Sequence, residues 1–511
     1  MASNSVMAVR HVVPRFRSFK DAAARGELDP AEIPKSPEAE PNSFLLQKES
    51  QWLENPTLSH ALDFVSAANV LGTSDSAREA AFMILDNKEN ISNLALSIAA
   101  RIAGVTIPPP VSQPADGEYK TQTIQGIKDL KRRRAIEPRN AFVWAELARL
   151  YTLLGATDAA IRPLEIALRL APDNRFILRN ASRYFLHAGD PAKALRLIRN
   201  SDATRHDPWL LAAELAISSV EEKSPKYWRE AQMLMKDKSF SAFHLSEMRA
   251  AAGGFELEGG KDRHAKDLFA LALDTPTENA LAQVIWSARK VGILDYAFSK
   301  IQMQNAFEAE AWDARNKGDW PLVVSKSMEW ASDESFSSRP YAMASGIAVS
   351  LLGELKQGIE IAKQGLITNQ RHPGLLNNLA FALVENGETD KAEEELAKAD
   401  IKSSPPATVA CLLATAGLIC YRRGDADAGA KSYQATIQYA TNTKQPLWKA
   451  TAQIYYAREE AFSRRPGYEK LLSAGMDYLN TFGDAYSKSL ASAIWHQIDD
   501  FKKKPIPTQT S

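Results

Sequence analysis

Between Ala141 and Asn174 the apolar and small residues fall into two runs at helical spacing. Trp144, Leu147, Ala148 and Tyr151 precede Gly155, and Ala160, Leu164 and Ala167 follow it. Residues three and four apart share one face of a helix, so each run predicts an amphipathic helix and Gly155 the turn between them. The arrangement returns along the chain. Turn glycines stand at Gly155, Gly189, Gly260, Gly318, Gly353, Gly387 and Gly424, with gaps of 34 (155 to 189), 35 (318 to 353), 34 (353 to 387) and 37 (387 to 424). Seven residues before them are Ala148, Ser182, Gly253, Ala311, Gly346, Ala380 and Gly417, all small. Five residues after them are Ala160, Ala194, Ala265, Val323, Gly358, Ala392 and Gly429, of which only Val323 is not small.

The pattern has a direct physical reading. A small residue on each helix lets the two backbones pack closely and antiparallel. The glycine ends the first helix because it takes the left-handed cap conformation at little cost. An Asp follows in Gly189-Asp190, Gly318-Asp319 and Gly424-Asp425, placed to cap the next helix. Pro138 and Pro172, again 34 apart, stop second helices. A period near 34 predicts an all-α solenoid of helix pairs, each unit packing only on its neighbours.

The pattern also divides the chain. Residues 1–45 form a charged, proline-bearing arm, with Arg10, Arg15, Arg17, Lys20 and Arg25 ahead of Glu27, Asp29, Glu32, Glu38 and Glu40. Ser18 to Arg25 predicts one short helix within it. Residues 46–104 read as a small helical region, with helices over Thr57–Leu71, Ser74–Leu85 and Ile91–Ile102. Residues 105–118 carry Pro108, Pro109, Pro110 and Pro114 and read as a linker or loop. The array spans 119–440. Two of its units are degenerate: Pro208 to Lys238 lacks the turn glycine, and Asn279 to Trp312 has Gly292 and Ala297 with a shortened second helix. Residues 441–511 lose the repeat signature and read as a helical cap followed by a disordered tail.

Composition changes this picture little. Sixty-two basic and 62 acidic residues balance, so global charge gives no reason to expect nucleic acid or membrane as a partner. The two cysteines, Cys411 and Cys420, fall within one predicted helix, about 13 Å apart at the helical rise and too far for a disulfide. No apolar run reaches signal-peptide or membrane-spanning length, and the expected location is cytoplasmic.

The residues Trp144, Leu147, Ala148, Tyr151, Gly155, Ala160, Ala167 and Pro172 resemble the tetratricopeptide repeat, in the manner of bacterial-type repeat scaffolds. Leu164 departs from it where an aromatic is common. The unit from Arg175 to Pro208 keeps Leu178, Ser182, Phe185, Gly189, Ala194 and Ile198, and the unit around Gly387 keeps Leu376, Ala380, Leu383, Ala392 and Ala399. The resemblance covers about 300 residues. It implies a right-handed superhelix whose concave face holds peptides or partner domains, without catalysis.

That resemblance maps the inner face onto particular first-helix positions. In one unit these are Phe142, Ala145, Arg149 and Thr152, and in the next Phe176, Arg179, Arg183 and His187. Arg149, Arg179 and Arg183 then form a basic ladder flanked by Phe142 and Phe176, suited to carboxylates and an apolar anchor. The competing reading is a solvated helix face, with Arg149 paired to Glu146. Reversing Arg179 and Arg183 to Glu is expected to abolish partner binding without unfolding the array. Downstream the lining turns more apolar, at Met343, Ile347, Asn377, Phe381 and Val384. The lysine–asparagine clamps of some relatives are not reproduced, so a C-terminal carboxylate ligand is not implied.

Nothing points to an enzyme. The eight histidines lack metal-ligand spacing, and no phosphate-binding loop or nucleophile elbow occurs. No cofactor or metal is expected. The run Lys131-Arg132-Arg133-Arg134 reads as a solvated face, or else as a nucleic-acid contact. The arm from Arg10 to Arg25 docks on another protein, on nucleic acid, or back on the chain's own groove, with the first and third favoured. The leading function is a scaffold or adaptor that binds a partner protein or peptide in its concave face, as the regulatory subunit of an effector on another chain. The alternative is a helical-repeat nucleic-acid-binding protein.

Overall fold

The computed structural model describes residues 10–28, 43–71, 74–87, 96, 99–100, 102–105, 116–237, 239–291, 303 and 305–503. Those residues form α-helices and a 3-10 turn, with no strand. They divide into two compact units, one of Met1–Leu28 with Thr123–Ser511 and one of Asp29–Gln122.

The smaller unit holds helices Ser43–Glu54, Leu58–Leu71 and Asp75–Asp86, packed around Trp52, Phe64, Val65 and Ile84. The Ser74 hydroxyl caps the third helix, accepting from the Ala77 amide at 3.2 Å. Most of the helix expected over 91–102, and residues 106–115 of the expected linker, lie outside the described residues.

The larger unit is a solenoid of antiparallel helix pairs, beginning with Ala141–Leu153 and Thr157–Leu170. All seven turn glycines adopt left-handed backbone, with φ between +69° and +84°. The hydrogen bonds show why. At Gly155 the amide of Ala156 reaches back to the Tyr151 carbonyl at 3.0 Å, and at Gly424 that of Asp425 reaches Cys420 at 3.0 Å. This closure satisfies orphan carbonyls at the helix end and requires positive φ at the residue between. The small-residue positions are equally physical. A Cβ added at Gly429 would lie 2.4 Å from the Tyr421 ring and 3.0 Å from the Gly417 carbonyl. Ala148, Ala160, Ala194, Ala265, Ala380 and Ala392 have no exposed surface.

The degenerate pair Pro208–Val220 and Trp228–Leu234 turns at Glu222, with φ +52° and the same closure from Lys223 to Ser218 at 2.9 Å. Gly292 and Ala297 of the other degenerate unit lie outside the described residues. Pairing does not stop at 440. Pro446–Phe462 and Tyr468–Phe482 form a further antiparallel pair, turned at Arg464 with φ +55°, and the last helix, Ala485–Lys503, packs on it.

The array curves enough to meet itself. Phe336, before helix Ser338–Ser350, packs against the Arg183 guanidinium (4.8 Å) and the His187 ring (5.7 Å) of helix Arg175–His187. A Cβ at Gly155 would lie 2.5 Å from the Ile367 carbonyl. Among the described residues, no helix is long and apolar enough to cross a membrane.

Candidate functional site

The inner face of the array is occupied by the chain's own arm. Residues 10–18 run extended, and Phe19–Ala24 form one short helix capped by the Ser18 side chain, which accepts from the Asp21 amide at 3.1 Å. Four apolar side chains anchor the segment. Val12 and Phe16 enter the array core at 1% and 4% exposure, and Ala22 and Leu28 pack with Ala145, Phe176 and Ile177. Polar backbone groups are met as well: Asn279 donates to the Val13 carbonyl at 3.0 Å, and the Arg17 amide donates to Asn180 at 3.1 Å.

Arginines supply the specificity. Arg10 forks onto Glu308 (2.9 and 2.8 Å) and also donates to Gln283 and Asn279 (3.0 and 2.9 Å). Arg15 bonds Glu308 and Glu334, while Arg17 bonds Glu278, Glu27 and Asp333. Arg25 bonds Glu278 and Asp333. Glu278 and Glu308 stand in the first turns of inner helices Glu278–Val291 and Phe307–Lys317, and Asp333 and Glu334 end helix Trp320–Asp333. A planar guanidinium can meet a carboxylate through two parallel bonds, as Arg10 does at Glu308. Burial by itself would raise the Glu308 carboxyl, but Arg10, Arg15 and Arg339 overcome it and hold it well below the usual range.

The residues expected to meet a partner take distinct places. Phe142 and Phe176 form an aromatic seat, and the Phe19 ring fills it at 4.5 and 5.6 Å between centroids. Arg149 Nε donates to both oxygens of Glu146 (3.1 and 3.0 Å), the pairing of the competing reading. Arg179, 4% exposed, lies over the Trp209 ring at 4.7 Å and forks onto Glu247 (3.0 and 3.3 Å). The expectation that Arg179→Glu leaves the array intact is therefore corrected, because it would set two carboxylates face to face in a buried site. Arg183 has no carboxylate within ion-pair distance among the described residues. In the back half, Asn377 accepts from the Thr415 hydroxyl at 3.0 Å, and Phe381 packs edge-on to Tyr455 at 5.7 Å. Both are buried against neighbouring inner helices.

The last helix covers part of that back half. Tyr486 meets the Ser350 hydroxyl at 3.0 Å, Asp484 accepts from Arg315 at 2.8 Å, and Gln497 accepts from Arg458 at 3.3 Å. The basic run is paired locally: Arg132 with Asp129, Arg133 with Glu137, Arg134 over Trp144 and Lys131 over Tyr151. Among the described residues, no group of three or more His, Cys, Asp or Glu could hold a metal ion.

The acidic floor was missed in the sequence, although a signal existed. Glu247, Glu278 and Glu308 recur at intervals of 31 and 30 residues near the starts of inner helices. Their sign complements the arm.

No family model and no curated protein matches the chain. Among solved structures it is similar to the Cut9–Hcn1 hetero-tetramer of the APC/C, at TM-score 0.43 and 12% identity over 90% of this chain and 91% of that one. It is also similar to a human IFIT1 dimer with PPP-AAAA, at TM-score 0.35 and 13% identity over 88% and 100% of the two chains. For yeast Tom70 the values are 0.31 and 12%, over 76% and 98%.

Proposed function

We propose that this chain is a non-catalytic protein-interaction scaffold whose inner face recognises an extended, arginine-bearing segment. In the structure that segment is its own residues 10–28, and a partner protein or peptide of like chemistry takes their place. The observation that carries the reading is the acidic floor of Glu278, Glu308, Asp333 and Glu334, each bonded to an arm arginine, beside the Phe142–Phe176 seat holding Phe19. An arm held by pairs that a competitor reproduces is exchangeable only for a partner whose added contacts outweigh the advantage the arm gains from being tethered. The effector subunit with which such a scaffold works lies on another chain.

The test uses the full chain carrying Arg10→Glu and Arg15→Glu, which repel the arm from the floor. Its fold is checked by circular dichroism. A fluorescent peptide of residues 8–28 is expected to bind this variant and not the parent. The same peptide with Arg15→Ala and Arg17→Ala should bind at least tenfold more weakly. A folded, undocked variant that ignores the peptide overturns the reading.

A further inference from the structure

Where the arm crosses the array it closes one side of a cavity of about 310 Å³. The arm contributes Arg10, His11 and Arg15 to its wall, and the array contributes Arg183, Arg339 and His372. Four guanidinium groups thus face one space. Only one carboxylate, Glu334, lies on that wall; its Oε2 is taken by Arg15 and Trp330, and its buried Oε1 makes no hydrogen bond within the described residues. Behind the wall, Glu308 serves Arg10, Arg15 and Arg339 together. With Glu278 close to Arg15 Nε, three carboxylates stand against these four guanidiniums, and the cavity keeps an excess of positive charge.

The donors there are not used up. Arg339 reaches Glu308 through Nη1 at 3.0 Å, while its buried Nη2 makes no hydrogen bond within the described residues. Arg15 Nε is likewise buried and without a hydrogen bond, 3.6 Å from Glu278. Arg183 has only the Phe336 face beneath it. Leaving charged donors buried and unmet is costly, and the cost falls when an anion takes them. Burial pushes the Arg339 guanidinium down to about 10 and lowers that of Arg183, whereas at Arg15 the carboxylates of Glu334, Glu308 and Glu278 outweigh burial and raise it. The cavity is reached from solvent, since 28% of the Arg339 side chain and 37% of Val220 on its rim are exposed.

We infer that this cavity binds a phosphate group, as free phosphate or as the phosphomonoester of a small molecule, held by Arg10, Arg15, Arg183 and Arg339. Charge and shape select the ligand. A phosphate brings negative charge to Arg183, which has no carboxylate within ion-pair distance among the described residues, and its oxygens accept from several guanidinium forks at once. The volume admits a phosphorylated compound beyond the phosphate itself. His11 and His372, neutral on the wall, offer further hydrogen bonds. The site is half arm and half array, so its ligand ties the two together.

The test is isothermal titration of the full chain at fixed ionic strength with inorganic phosphate, glycerol 2-phosphate and succinate. A saturable heat with either phosphate compound is expected, at least tenfold weaker in Arg183→Gln and in Arg339→Gln. The tighter of the two compounds tells free phosphate from monoester. Absence of saturable heat, equal affinity in the folded variants, or succinate binding as well as phosphate overturns the inference. Arg339 also pairs with Glu308, so if its variant fails to fold, Arg183→Gln alone decides. The titration reads the cavity in the intact chain, so failed arm exchange leaves this result standing.

Discussion

Among the described residues, Glu308 is one of two acids at the inner face that three arginines reach, Glu278 being the other. Arg10, Arg15 and Arg339 all reach the Glu308 carboxylate, and Trp312 donates at 3.4 Å. Such a centre adds little net stability when intact, since desolvation offsets the attraction, but removing it strands three buried cations. Glu308→Ala is expected to lower the unfolding free energy by about 3–5 kcal/mol in urea titrations, and a loss below about 1 kcal/mol would contradict the burial argument. By contrast, the local Arg149–Glu146 pair is worth about 0.2–0.5 kcal/mol. The same logic applies at Glu247. Arg179→Glu should lower the melting temperature sharply, and adding Glu247→Arg should recover most of it, because the swap restores the pair. Ala148, fully buried on its inner helix, tolerates no extra volume: Ala148→Leu should cost about 1–3 kcal/mol, and an unaltered melting temperature would refute the helix register.

At the scale of single elements, helix Pro373–Glu385 carries a built-in pH response. Its cap is His372, whose Nδ1 accepts from the Leu375 amide at 3.2 Å. Protonation removes that lone pair. Burial lowers the His372 pKa from 6.5 to about 4, and burial with Arg183 and His372 nearby does the same at His187. The unfolded chain therefore takes up protons first as pH falls. Stability from these groups is complete above about 6.5 and declines between 6.5 and 4. His372→Asn keeps a side-chain cap without the titration. Its melting temperature should fall less steeply than the parent's over that window, and parallel pH profiles would exclude the cap as the sensor.

The elements also show what could be read in advance. The glycine turns were legible because left-handed backbone is a local demand that few residues meet. The turns at Glu222 and Arg464 were not, since their closing hydrogen bonds come from backbone alone. That Phe142, Phe176 and Arg179 sit on the first helices of their pairs was readable too. What they touch was not: Arg10 and Glu308 are 298 positions apart, and no local pattern announces such a pair. Arm docking on the chain's own groove is one of the readings the sequence leaves open, but the acids that hold it lie 253 to 319 positions away, beyond any local pattern.

At the scale of the larger unit, the hold of the arm on the array rests on its ion pairs. Arg15→Glu alone should make the segment around residues 17–25 cleave faster with trypsin than in the parent, while the array resists. Equal cleavage rates would mean that the arm is not held by its charges.

The long reach of the arm has a consequence for biosynthesis. Its arginines bond carboxylates 253 to 319 positions later in the chain. At roughly 5–20 residues per second, a ribosome needs on the order of 15–60 s to make the intervening stretch. Through that interval the arm's phenylalanines and cations have no floor to meet, while the first helix pairs can already stack. The arm must then wait, threaded or shielded, until the later pairs curl around it. Its docking ties the first helix pairs to helices near the middle of the array.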